Sequence, residues 1–184
     1  RNQNLNVLEA RISQINASGG TEIFSGLEAG YNEIIQNLRP TYQNHLILIT
    51  DGRTYGDEPD CLALAATAAE NQVTIHALGI GDEWNDEFME MLAAKTGGSS
   101  EFAQSPHGIK KFLEGKFGQI QNTFAHNLTL KFKTPDNVHL RYAFRITPDS
   151  TAIPIGESLL LGDIPTQHSP VSYTHLTLPT NREV

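Results

Sequence analysis

The apolar residues of this chain follow two different spacings. Between residues 5 and 124, helical spacings of three and four residues alternate with short runs of consecutive aliphatic residues. The runs are typical of buried strands, and the longer spacings of amphipathic helices. The pattern predicts helices over residues 5–15, 23–38 and 60–70, a helix carrying residues 88–93, a helix over 109–124, and strands over 46–50, 73–78 and 99–103.

This alternation of strands and helices predicts an α/β fold with a doubly wound, mostly parallel, Rossmann-like sheet. The pattern changes at residue 128. Residues 128–133 and 138–144 alternate apolar and polar side chains on either side of a Pro-Asp-Asn turn, which predicts an antiparallel hairpin. A third strand is expected over residues 158–161, so the last part of the fold is predicted to be part of an antiparallel β-sandwich.

Two polar loops carry the candidate chemistry. The aliphatic run of residues 46–49 ends in Thr-Asp-Gly, which brings Asp51 out at the carboxyl end of a strand. Thr21 lies in a Gly-Gly-Thr-Glu loop between the first two predicted helices. Open α/β sheets bind ligands at the carboxyl ends of their strands, and hard cations prefer oxygen ligands. Thr21 and Asp51 are therefore the candidate metal-site residues.

Four short motifs occur in a specific order: Gly-Gly-Thr at 19–21, Thr-Asp-Gly at 50–52, Gly-Ile-Gly at 79–81 and Thr-Gly-Gly at 96–98. In this order and spacing they resemble a von Willebrand factor A domain of bacterial type, over about residues 4–124. The resemblance implies a metal-ion-dependent adhesion site for Mg²⁺ or Mn²⁺. In that family the site consists of an Asp-x-Ser-x-Ser loop, a Thr and an Asp, and Thr21 and Asp51 match the last two.

The resemblance also implies a function in protein–protein interaction. A partner protein would offer a carboxylate to an open coordination position on the metal ion, so binding is expected and catalysis is not. The sequence lacks the Asp-x-Ser-x-Ser loop. We therefore interpret the chain as a domain truncated at its amino-terminal side, in which the affinity for Mg²⁺ is weak or absent.

Two other functions are compatible with the same residues. A phosphatase-like metal-dependent hydrolase would use Asp51 as a metal ligand or nucleophile, although the sequence offers no obvious Lys or Arg clamp for a phosphate. An A domain with a degenerate metal site would act only as a scaffold. Taken singly, Thr21 can also be read as a helix cap and Asp51 as a turn residue.

Other polar residues are assigned less specific roles. His45 and His76 lie beside or within strands and are expected to be structural, and the scattered histidines make zinc binding improbable. A set of acidic residues is expected in solvated loops at the same edge of the sheet as Asp51: Asp57, Glu58, Asp60, Asp82, Glu83 and Asp86.

The overall charge excludes some partners. A formal net charge of −8 without a basic run argues against binding to nucleic acid or to anionic membranes. No apolar stretch is long enough to cross a bilayer, so direct membrane insertion of this segment is not expected. The localisation is left open.

The predicted domain organisation has three parts. Residues 1–125 are assigned to the carboxyl-terminal part of an A domain, and residues 126–169 to a partial β-sandwich. Residues 170–184 are predicted to be non-native, because residues 171–180 can be back-translated into a sequence that resembles a transposon end followed by a sequencing adapter. The alternative for these residues is a short strand, since they alternate in the manner of one.

Overall fold

A computed structural model of the chain contains five helices and seven strands in the residues that it describes. These are residues 2–16, 20, 22–38, 42–54, 56–81, 84–133, 135 and 139–166. Thr21 and residues 170–184 therefore lie outside the described part. The elements are α1 (Asn2–Ile12), α2 (Ile23–Gln36), β1 (Asn44–Thr50), α3 (Glu58–Glu70), β2 (Val73–Ile80), α4 (Asp86–Ala94), β3 (Ser100–Ala103), α5 (Pro106–Gln121), β4 (Thr123–Lys131), β5 (Phe144–Arg145), β6 (Thr151–Ala152) and β7 (Ser158–Pro165).

The first three strands form a parallel sheet in the order β1-β2-β3. Leu46 of β1 is paired with Ile75 of β2, and Leu78 of β2 with Glu101 of β3. Because the strands are parallel, their carboxyl ends share one edge of the sheet and their amino ends share the opposite edge. We name these the carboxyl edge and the amino edge. The predicted α/β fold with a parallel sheet is confirmed.

The helices cover both faces of this sheet. Successive side chains of a strand point to opposite faces, so Leu46 and Ile75 contribute to one core and Leu78 to another. The first core also contains Leu27 of α2, and Cys61 of α3 is fully buried in it. The second core joins the other face of the sheet to α5 and contains the buried residues Leu78, Ala103 and Phe112.

Helix α1 does not bury its apolar residues in the way that the other helices do. Its predicted apolar face is present, but Leu5 is 60% exposed and Ile12 is 64% exposed. The amphipathic pattern thus predicted the helix correctly. It did not predict what the helix packs against.

The antiparallel part differs from the predicted hairpin. Strand β4 pairs with β7 instead of with residues 138–144, and Phe144 pairs with Ala152 in a short two-stranded sheet. Residues 139–143 are not in a strand, and Val138 lies outside the described residues. Phe124 was predicted to end a helix and belongs to β4 instead. Alternation predicts which residues share a face, but a partner strand is chosen by packing between segments distant in sequence.

The β4–β7 and β5–β6 strands enclose a small core of their own. Its buried residues are Ala143, Ile153 and Leu159, with Leu130 and Leu161 packed against them. Strand β4 runs without interruption across residues 125 and 126. The predicted domain boundary between these two residues stays a prediction.

Candidate functional site

Asp51 lies at the carboxyl edge, directly after β1. The preceding residue, Thr50, is buried, and its Oγ1 donates to the Gly52 carbonyl over 3.1 Å while accepting from the Gly52 amide over 3.3 Å. These two hydrogen bonds fix the turn that ends the strand. As a result, the Asp51 side chain is exposed at the position that the sequence predicts for it.

The loop after Asp51 is bonded to the first turn of α2. Thr54 Oγ1 accepts from the Ile23 amide over 3.3 Å, and Asp57 Oδ2 accepts from the Phe24 amide over 2.8 Å. The Thr54 hydroxyl in turn donates to Asp57 Oδ1. We name Thr54 and Asp57 the capping pair, because they satisfy two amide groups that a helix leaves without an intrahelical partner.

The capping pair replaces a local cap. The residue at the N-cap position of α2 is Glu22, whose side chain makes no capping hydrogen bond. Thr21 itself lies outside the described residues, and its predicted role as a metal ligand stays a prediction. The amide groups of Ile23 and Phe24 already have partners from another loop. The alternative role of Thr21 as a helix cap likewise stays a prediction.

Asp57 corrects one expectation drawn from the sequence. It was grouped with solvated acidic loop residues, but it caps α2 across 33 residues of sequence. Its position just before α3 would suggest the N-cap of that helix, yet it makes no side-chain capping bond there. The position of Asp57 along the chain therefore does not show which helix it caps. Of the same set, Asp60 is exposed, and Asp82 and Glu83 lie outside the described residues.

At the carboxyl edge the structure places the Asp51 carboxylate, an oxygen donor of the type that Mg²⁺ and Mn²⁺ accept. The second predicted donor, the Thr21 hydroxyl, lies outside the described residues. In the part of the chain that the structure describes, no group of three or more His, Cys, Asp or Glu side chains is arranged to hold a metal ion. Two protein oxygens would leave most of the coordination sphere to water.

The amino edge carries a second polar cluster, which is centred on a buried lysine. Lys116 of α5 is 2% exposed, and its Nζ donates to Asp149 Oδ2 over 2.7 Å and to Ser99 Oγ over 2.8 Å. Glu101 Oε1 lies 3.0 Å from the same nitrogen. Burial by itself would raise the pKa of Asp149, but Lys116, Ser99 and Arg145 together hold it below its usual value. The cluster joins α5 to the loop between β5 and β6.

Arg145 connects the antiparallel strands to the amino edge. Its guanidinium donates to the carbonyls of Gly97 over 2.8 Å, Gly98 over 2.9 Å and Leu161 over 2.7 Å. Arg145 is 6% exposed. A buried guanidinium needs such acceptors, because its charge is costly to remove from water.

The Thr-Gly-Gly motif at residues 96–98 has a structural role in this connection. Thr96 Oγ1 accepts from the Ile75 amide over 2.8 Å and donates to the Ala93 carbonyl over 3.0 Å. A Cβ on Gly98 would collide with the Ile75 carbonyl oxygen, and Gly97 has a φ of 74°. Only glycine allows this close approach and this backbone conformation without strain.

Two histidines lie at the same edge. The rings of His45 and His76 stack at a centroid distance of 5.5 Å, and His45 Nε2 lies 3.6 Å from Asp163 Oδ2. Burial, reinforced by Lys116 and by His45, lowers the pKa of His76 to about 3. His76 is therefore a neutral residue of the interior. Among the described residues, its Nδ1 is the buried side-chain atom that lacks a hydrogen-bond partner.

Membrane insertion was not expected from the sequence. Within the part of the chain that the structure describes, every helix falls short of the length and hydropathy that a bilayer-spanning helix needs.

Several proteins of known sequence or structure are similar to this chain. An uncharacterized protein of Synechocystis sp. is 28% identical over 176 residues, which cover 91% of this chain and 42% of that protein. Inter-alpha-trypsin inhibitor heavy chain H1 of Sus scrofa is 28% identical over 140 residues, 70% of this chain and 15% of that protein. The structure of a von Willebrand factor type A protein from Catenulispora acidiphila has a TM-score of 0.66 at 19% identity, covering 85% of this chain and 38% of that one.

These similarities do not all support the same conclusion. The structural match, at its low sequence identity, supports the fold alone, and the chain spans less than half the length of each of the three proteins. A family model gives the more specific result, since the model of the von Willebrand factor type A domain matches residues 1–114. That range contains the parallel sheet, the capping pair and Asp51. The chain therefore belongs to the von Willebrand factor type A domain family.

Proposed function

We propose that this chain is a protein-interaction module that binds a carboxylate of its partner through Mg²⁺ or Mn²⁺ at the carboxyl edge. Thr21 and Asp51 are the residues of the chain that would hold the ion. The observation that carries the proposal is the exposed Asp51 carboxylate on a turn that Thr50 fixes. Family membership adds support, because von Willebrand factor type A domains mediate protein interactions and commonly bind a divalent metal ion.

Each residue has a separate task in this proposal. Asp51 would help to hold the ion and would add negative charge beside it. Thr21 would offer a neutral hydroxyl oxygen. When bound, the ion supplies a positive charge and an exchangeable position for a carboxylate of the partner.

The affinity of this chain alone for the ion should be low. Mg²⁺ keeps several of its waters when a protein offers few carboxylates, and Asp51 is the only carboxylate assigned to the site. We therefore expect weak or undetectable Mg²⁺ binding by calorimetry. The interaction is more readily located by NMR, because paramagnetic Mn²⁺ broadens nearby amide signals even when its occupancy is low.

The test is a Mn²⁺ titration of the ¹⁵N-labelled chain, compared with Asp51→Ala. We expect the Gly52 amide to broaden first in the unmodified chain, and the broadening to fall at least fivefold in the variant. Asp60→Ala removes an exposed carboxylate from α3 and is the matched control. Equal broadening of Gly52 in the unmodified chain and in Asp51→Ala would contradict the proposal.

The same samples test the hydrolase alternative. Mg²⁺-dependent release of phosphate from an aryl phosphate, abolished by Asp51→Ala, would favour a hydrolase over a binding module.

A further inference from the structure

One nitrogen of His76 is buried at the amino edge without a partner. His76 is 8% exposed, and in the part of the chain that the structure describes its Nδ1 makes no hydrogen bond. Leaving a buried polar atom unpaired is costly, so such an atom indicates that a further molecule satisfies it. The chemistry of that molecule depends on whether Nδ1 carries a hydrogen or a lone pair.

His76 lines a small cavity. The cavity volume is about 20 Å³, and on the same measure one water molecule needs about 10 to 15 Å³. Its other lining residues belong to the parallel sheet, to α5, to the antiparallel strands and to the loops between them. The cavity therefore has room for a single water molecule at the place where these parts of the fold meet.

The groups around His45 determine which of its ring nitrogens carries hydrogen. Its Nε2 faces two oxygens, Gln43 Oε1 at 3.2 Å and Asp163 Oδ2 at 3.6 Å. An amide oxygen and an ionised carboxylate can only accept, so His45 Nε2 is the donor. Gln43 Nε2 lies 2.9 Å from His126 Nε2 and donates to it, which is consistent with the amide oxygen facing His45.

This assignment determines the state of His76 as well. Burial lowers the pKa of His45, so at neutral pH the ring has one hydrogen, on Nε2, and its Nδ1 has a lone pair. His76 Nε2 lies 3.3 Å from that Nδ1 and must donate to it. The pKa of His76 is lowered to about 3, so this ring is neutral too. His76 Nδ1 is therefore an acceptor that needs a donor.

We infer that a single water molecule is bound in this cavity and donates a hydrogen bond to His76 Nδ1. This site is at the opposite edge of the sheet from Asp51 and is independent of the proposed function. Water fits the site because it is a donor, has the required size and can bond to several groups at once.

The cavity offers this water further partners. Asp149 lines it, and Asp149 Oδ1 accepts from Gln119 Nε2 over 3.4 Å. A carboxylate oxygen can accept more than one hydrogen bond, so Oδ1 is an acceptor for the second hydrogen of the water. Thr74 is buried, lines the same cavity and has a hydroxyl that can donate to the water oxygen. With His76, these residues supply the number of partners that a buried water usually has.

NMR of the unmodified chain at neutral pH tests both parts of the inference. Side-chain ¹⁵N spectra give the tautomer of His76, and we expect hydrogen on Nε2. A rotating-frame Overhauser experiment should show a cross-peak between bound water and Hε1 of His76, the carbon-bound hydrogen next to Nδ1. His107 is exposed and is the control, because its hydration water exchanges too fast to give such a cross-peak. Hydrogen on Nδ1 of His76, or no water cross-peak, would overturn the inference.

His76→Asn and His76→Leu form a matched pair of variants. The amide oxygen of asparagine can accept a hydrogen bond near the position of Nδ1, whereas leucine cannot. Magnetic relaxation dispersion of ¹⁷O measures the number of long-lived internal water molecules. We expect the same amplitude in the unmodified chain and in His76→Asn, and an amplitude lower by one water molecule in His76→Leu.

An amplitude in His76→Leu equal to that of the unmodified chain would contradict the inference. The NMR experiment needs no substitution, so it decides the question if His76→Leu does not fold.

Discussion

At the carboxyl edge of the parallel sheet Asp51 is exposed, whereas at the amino edge Lys116 and Arg145 are only 2% and 6% exposed. Both edges are rich in polar residues. The buried charges at the amino edge meet several partners from other elements, and these partners connect α5 and the antiparallel strands to the sheet. Asp51 has no comparable enclosure.

This difference separates an exposed edge from a connecting edge. A buried charge is tolerated only when it is paired and hydrogen-bonded, so a matched set of this kind stabilises one arrangement of the chain. An exposed carboxylate contributes little to stability and is available to a ligand. The comparison therefore predicts large effects on stability from substitutions at the amino edge and small ones from Asp51.

The largest expected effect on stability is that of Arg145→Met. The substitution leaves the carbonyls of Gly97, Gly98 and Leu161 without their buried donor. We expect the free energy of unfolding, measured by urea denaturation, to fall by about 3 to 5 kcal/mol. Arg141→Met, at an exposed position, is the control and should change it by less than about 0.5 kcal/mol. A loss below about 1 kcal/mol for Arg145→Met would mean that the amino edge does not connect the two parts.

The next expected effect is a dependence of stability on pH that arises from His76. Burial lowers its pKa from 6.5 to about 3, so between these values the unfolded chain binds more protons than the folded one. Stability should therefore decrease as the pH falls from about 6.5 towards 3, by at most about 1.4 kcal/mol per pH unit for this residue.

Urea denaturation at a series of pH values checks this expectation. His76→Leu removes the titrating group, so the decrease in stability should become shallower by a corresponding amount. His107→Leu, at an exposed position, is the control. If the free energy of unfolding depends on pH in the same way in His76→Leu as in the unmodified chain, this histidine is protonated in the folded protein as readily as in the unfolded one.

The smallest effect is expected at the carboxyl edge. Asp51→Ala should change the free energy of unfolding by less than about 0.5 kcal/mol, because the side chain is exposed. Asp57→Ala, in the same loop, removes the acceptor of the Phe24 amide and should cost about 1 kcal/mol. Urea denaturation measures both variants. If Asp51→Ala lowers the free energy of unfolding more than Asp57→Ala does, the roles that we assign to the two carboxylates are wrong.

Local sequence patterns predicted the elements of the parallel sheet and the position of Asp51. The run of aliphatic residues before Asp51 specifies a buried strand without reference to the rest of the chain. Patterns failed where a distant partner decides the outcome. Asp57 was expected in a solvated loop but caps α2, and β4 pairs with β7 instead of with the segment that follows it in sequence.

The sequence by itself determined the α/β fold, the parallel strands and an exposed carboxylate at a strand end, because apolar spacing and turn residues act over a few positions. Only the tertiary structure decided that Thr54 and Asp57 cap α2 and that Lys116 and Arg145 are buried at the amino edge. A lysine or an arginine favours solvent in any local pattern. Its burial depends on acceptors such as Asp149 and the Gly97 carbonyl, which folding brings to it from far along the chain.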